Sequence, residues 1–169
     1  MTAFIALLRA VNVGGTGKLS MPDLRALCEA AGFQKVRTYI ASGNVVFEAV
    51  GEEASIKSEL EEALKRHMGK PVGVMVRTGA EMAAVLAANP FASAPPNRTV
   101  AVFLDQPPPA DPSAGATGHA GEEIAAGTRE IYIHYGEGMA HSKLRIPAAA
   151  TGTARNMNTV AKLAALAGC

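Results

Sequence analysis

FIALLRAVNVGGTGK, Phe4 to Lys18, is the stretch whose reading organises the chain. Phe4 to Val11 is apolar except for Arg9, and such a run reads as a strand away from the sheet edge and covered on at least one face. Asn12, Gly14, Gly15 and Gly17 follow as a glycine-rich loop closed by Lys18. Glycine admits positive φ and lets backbone N–H groups approach an anion closely, and Arg9 and Lys18 place positive charge near the same point. The same glycines also fit a turn in which they serve geometry alone. Two named phosphate loops do not fit. A Walker A loop would need a glycine where Asn12 stands and a hydroxyl where Leu19 stands, and G-x-G-x-x-G is absent here. No cofactor is expected.

Working outward, Ser20 reads as a helix N-cap with Asp23 three residues on, and Leu19 and Leu24 as its hydrophobic staple. Leu24, Leu27, Cys28 and Ala31 form one apolar stripe, ended by Gly32. Lys35–Ile40 and Asn44–Glu48 read as a hairpin with Ala41-Ser42-Gly43 near its turn. Ser55–Met68 is a second helix with Ile56, Leu60 and Leu64 inward and the pairs Glu61–Lys65 and Glu62–Arg66 on its solvent side. Val72–Arg77 is a further strand. The order is βαββαβ, the ferredoxin-like arrangement. In it the end of the first strand lies beside the start of the third, so Asn12 to Gly15 should approach Ser42-Gly43-Asn44.

The second half predicts a helix capped by Thr78 and Glu81 and broken at Asn89-Pro90. A strand is expected at Thr99–Leu104, a proline-rich irregular connection at Asp105–Ser113 and a short helix near Ala114–Ala120. Glu122–Ala126 and Arg129–Tyr135 should form a hairpin, Gly136 to Gly138 a turn, and Asn156–Ala167 the last helix. The expected fold class is α+β: a ferredoxin-like subdomain over 1–78 packed with a smaller α+β subdomain over 79–169, as one compact unit.

Composition narrows the function. The chain has 169 residues, 49% hydrophobic, enough for a sizeable core, and a net charge of +1, which argues against broad electrostatic nucleic-acid binding. Cys28 and Cys169 are the only cysteines; Cys28 lies on an apolar stripe, and this usage suits a reducing cytosol. No signal peptide is expected, and no apolar run reaches the roughly 18 residues of a membrane span. The expected location is cytoplasmic.

Thr151 to Thr159 gathers hydroxyls, amides and Arg155 at the expected start of the last helix. Helix N-termini suit phosphate or carboxylate, and Arg155 would add a bidentate contact; an abundance of ordinary capping residues is the other reading. Lys143 offers a cation upstream, or plain solvated surface. His67, His119 and His134 lack a second ligand at metal spacing, and there is no C-x-x-C, so no metal is expected. No G-x-S-x-G elbow is present, and Cys28 is buried in pattern, which leaves nucleophilic catalysis without a candidate. Glu52-Glu53 and Glu122-Glu123 read as solvated charge. An RNA-recognition platform needs aromatics along the third strand, where Phe47 stands alone.

LLRAVNVGG at Leu7–Gly15, TYIASGNVVFE at Thr38–Glu48, SKL at Ser142–Leu144 and TARNMNTVAKL at Thr153–Leu163 together resemble the bacterial family called domain of unknown function 1697, in the same order over nearly the whole chain. The resemblance implies a cytoplasmic α+β protein of two subdomains, at least one ferredoxin-like, and brings no reaction with it. The family motif has Gly at Ala10, Arg at His141 and Trp at Met157. By resemblance the motif's polar residues are Arg9, Asn12, Ser42, Asn44, Lys143, Arg155, Asn156, Asn158 and Thr159. With Gly14, Gly15 and Lys18 these make the candidate ligand-binding set. The favoured reading is a binding protein for a small phosphate- or nucleotide-like anion. The alternatives are an enzyme acting at the same site and a nucleic-acid or protein interaction module.

Overall fold

The computed structural model describes residues 1–11, 18–40 and 42–168. The chain is α+β, with two four-stranded antiparallel sheets and two compact units, Met1–Met82 with Leu163–Cys169, and Ala83–Lys162.

Unit 1 has the ferredoxin-like order β1 (Thr2–Leu8), α1 (Met21–Ala30), β2 (Gln34–Tyr39), β3 (Asn44–Ala49), α2 (Glu53–Met68), β4 (Val74–Thr78), with the strands arranged β2-β3-β1-β4. β1 is central and pairs Phe4 with Phe47 on one side and with Thr78 on the other. Its apolar run follows from burial on both faces. Phe4, Ala6 and Leu8 join Val45, Phe47, Val74 and Val76 beneath the two helices, and Ile5 and Leu7 are buried on the opposite face. Phe33 stacks on Phe47 at 4.3 Å and 6°, worth about 0.5–1.5 kcal/mol beyond simple burial. Ser20 caps α1 by accepting from Asp23 N at 3.1 Å, and Leu24 and Cys28 are its fully buried positions.

Unit 2 contains β5 (Thr99–Phe103), β6 (Glu123–Ala126), β7 (Glu130–His134) and β8 (Thr153–Asn156), in the order β6-β7-β5-β8. The order of the first sheet is therefore repeated. α3 (Gly79–Ala87) follows β4, and α4 (Met157–Leu166) follows β8. The boundary between the units runs through both helices. α3 opens on the expected reciprocal cap: Thr78 N donates to Glu81 Oε1 at 2.8 Å and Glu81 N to Thr78 Oγ1 at 3.1 Å.

Four expectations change. The first strand stops at Leu8: Arg9 N still bonds Gly73 O, and Ala10 then swings to φ 55, out of extended backbone. No helix forms near Ala114–Ala120: Gly115 and Gly118 stand at φ 74 and 69, and Thr117 pairs with Arg145 instead. Thr153–Asn156, read as part of a helix start, is an edge strand paired with β5. Glu61 pairs with Lys57 at 3.1 Å, not with Lys65. Among the described residues no helix is long and apolar enough to cross a membrane.

The edge strand β4 is already occupied. Val74 N donates to Glu61 Oε2, Lys57 Nζ donates to Val74 O, Arg77 Nη1 to Val76 O and Thr78 N to Glu81. Side chains thus take backbone groups that would otherwise invite a second strand.

Candidate functional site

In unit 1 the candidates gather where β1 ends. Leu8 N donates to Gly43 O at 2.8 Å, which sets the end of β1 beside the β2–β3 turn, while Arg9 N donates to Gly73 O on the other side. Gly43 is held at φ 91, and a Cβ there would lie 2.7 Å from Val11 Cγ2 and 2.9 Å from Leu8 Cβ, so only glycine lets the turn press against the chain leaving β1. Asn44 is fully buried; its Nδ2 donates to Tyr39 O at 2.8 Å and to Ser42 Oγ at 3.0 Å. Asn44 therefore locks the turn, and Ser42 is half-buried beside it. Arg9 and Lys18 are exposed. Asn12, Gly14 and Gly15 lie outside the described residues. Next to Arg9, across Gly73, a groove of about 770 Å³ runs between α2 and the lead-in to β4, lined by Lys65 and Arg66 as well as Glu61 and Glu62.

In unit 2, Arg155 is on β8 and is buried. Its Nη1 donates to Thr153 Oγ1 at 2.7 Å and to Ala154 O at 2.9 Å. Burial pushes its pKa down to about 10, so it stays charged at neutral pH. Asn156 Oδ1 accepts from Thr159 N at 2.9 Å and caps α4. Thr159 is buried, as is Met157 where the family motif has Trp, while Asn158 and Lys143 are exposed. Arg155, Asn156, Asn158 and Thr159 are thus neighbours at one strand–helix join, and Lys143 stands on a separate segment.

Glu122 corrects an expectation of solvated charge. It is buried, and its carboxylate accepts from Ser142 Oγ at 2.6 Å and from Ala120 N at 2.6 Å. The Ser142 hydroxyl, then the backbone N–H, hold its pKa below the usual carboxylate range. Glu122 also raises the pKa of Tyr135, after burial. A carboxylate so held is a clamp on the Ser142–Leu144 motif and a poor base. Sequence alone hides it, since the clamping partner is twenty residues away. Cys28 is no nucleophile: burial first, and then Glu29, push its thiol up to about 12. Three of the four histidines are engaged elsewhere, His67 with Asp23, His119 with Glu122 O and His134 with Thr99 Oγ1, while His141 is exposed beside Ser142. Among the described residues no group of three or more His, Cys, Asp or Glu is placed to hold a metal ion.

This fold and these paired polar joins define an α+β protein whose two units share one strand order. The chain belongs to the family described as protein of unknown function DUF1697, matched over residues 1–132. It is also similar to a solved structure, the conserved bacterial protein SP0830 from Streptococcus pneumoniae, at 22% identity and a TM-score of 0.79 over 98% of each chain. At that identity the likeness speaks to the fold. No curated protein matches the chain.

Proposed function

We propose that the protein binds a small phosphate- or nucleotide-like anion at the end of unit 1 where β1 runs into the Asn12–Lys18 stretch. The supporting observation is the Leu8–Gly43 bond, which sets the end of β1 beside the locked Ser42–Asn44 turn, one residue before exposed Arg9. Arg9 and Lys18 supply charge in this reading, and Asn12, Gly14, Gly15 and Ser42 supply donors, while Asn44 holds the turn. In unit 2, Lys143 and Asn158 are the exposed members of the candidate set and the ones proposed to meet a ligand. Arg155, Asn156 and Thr159 hold the strand–helix join. Binding is favoured over catalysis because His67, His119 and His134 are engaged, the Cys28 thiol is buried, and exposed His141 belongs to unit 2, which leaves no evident general base or nucleophile among the described residues of this unit 1 site.

The test is isothermal titration of the full chain with ATP and with inorganic phosphate, repeated on Arg9→Ala and Lys18→Ala. Both side chains are exposed, so the variants should fold. The expected result is saturable binding of at least one of the two anions, weakened about tenfold by Arg9→Ala through loss of a charge-assisted contact. Absence of binding by both, or affinity indifferent to both substitutions, would end the proposal.

A further inference from the structure

Unit 2 carries a groove of about 490 Å³ that the candidate set does not use. Its walls are Leu144, Ile146, Pro147 and Ala149, and Thr117 and Arg145 are its polar members. The backbone there is fixed. Thr117 and Arg145 exchange two backbone hydrogen bonds, Thr117 N to Arg145 O at 3.0 Å and Arg145 N to Thr117 O at 2.9 Å. Leu144 and Ile146 belong to the cluster built on Val100, Val102, Ile131 and Ile133, so the alternation of an extended chain turns Arg145 outward. The 3-10 turn Pro147–Ala149 makes the far wall, held by Ala149 N to Ile146 O at 3.0 Å. Gly115 closes against that wall: a Cβ on it would lie 3.2 Å from Pro147 Cγ. Ala149 and Ala150 leave the space open because their side chains are too short to fill it.

Charge decides the occupant. Arg145 is exposed and, among the described residues, takes part in no ion pair. A single guanidinium fork over an apolar wall matches one carboxylate carrying an aliphatic tail: the fork takes the carboxylate in bidentate fashion and the tail dries the wall. A bare inorganic anion would leave the wall wet, and an uncharged tail would leave the guanidinium unmatched. We propose that this groove binds a small aliphatic carboxylate, independently of the anion site in unit 1.

The experiment is an amide NMR titration of the isotope-labelled full chain with octanoate, with octanol and inorganic phosphate as comparison compounds. Octanoate should give saturable shifts at Thr117, Arg145 and Ala149, and neither comparison compound should match them. Arg145→Ala should weaken octanoate about tenfold or more. Ala150→Leu, at an exposed position, should block the groove with Arg145 intact. Arg9→Ala should leave octanoate binding unchanged, which separates this result from the fate of the unit 1 proposal. The inference is overturned by an absence of saturable shifts, by equal affinity in Arg145→Ala, or by octanol binding as well as octanoate.

Discussion

Sheets A (β2-β3-β1-β4) and B (β6-β7-β5-β8) share one strand order and differ in what covers them. In unit 1 the core face lies under α1 and α2, long helices with apolar stripes at Leu24 and Cys28 and at Ile56, Leu60 and Leu64. In unit 2 the corresponding connections are irregular: Ala116, Met139, Leu144 and Ile146 cover Val100, Val102, Ile131 and Ile133 from loops and 3-10 turns. The joins that follow the last strand of each sheet remain alike. Arg77 and Arg155 are both buried, and each donates to the carbonyl of the residue before it. Thr78 and Asn156 then cap the helix that follows. The lesson is that strand pairing tolerates any cover that excludes water, whereas a strand–helix join needs particular donors and acceptors.

Glycine substitutions press hardest on this comparison. Gly118 stands at φ 69, and a Cβ there would lie 2.1 Å from Lys143 O, a backbone atom. Gly118→Ala should cost about 3 kcal/mol, from left-handed strain plus displacement of the Ser142–Arg145 segment. Gly32, at the end of α1, has φ 90 with nothing within 4 Å of an added Cβ, so Gly32→Ala should cost only about 1 kcal/mol. Urea denaturation midpoints measure both. Equal costs would mean that the irregular cover of unit 2 yields as easily as an open helix end.

Smaller effects test the joins. Thr78→Ala and Asn156→Ala each remove one acceptor from a helix start and should each cost about 1 kcal/mol in the same assay. A wide disparity would show that the likeness of the two joins is geometric and not energetic. Smallest is Ala10→Gly. Ala10 holds φ 55 where the resembled motif has glycine, and relief of that strain should stabilise unit 1 by about 0.5–1 kcal/mol, seen as a raised denaturation midpoint. A loss of stability would show that the Ala10 methyl contributes more than its backbone strain costs.

Most of unit 1 was legible because its signals are local. A cap at Ser20, a 3.6-residue stripe from Leu24 and alternating apolar residues each report on their immediate neighbours. The capping box at Thr78 and Glu81 was equally plain. β8 was not, since T-A-R-N has no apolar alternation and becomes a strand only by pairing with β5. Of the candidate residues, the sequence brought out Arg9, Ser42, Asn44 and Arg155, but not their duties: Asn44 locks a turn, and Arg155 serves the backbone around it.

By itself the sequence determined the fold class, the ferredoxin-like order of the first half and the helix boundaries set by capping, because those depend on periodicity and on side chains within four residues. Tertiary structure alone decided that polar Thr153–Asn156 would be an edge strand, that Glu122 would be buried against Ser142, and that Arg145 would stand over an apolar groove. Each of these is settled by partners between twenty and fifty-odd residues away. Pairing at that range is chosen by which backbone groups and apolar faces must leave water together, and no local pattern records it.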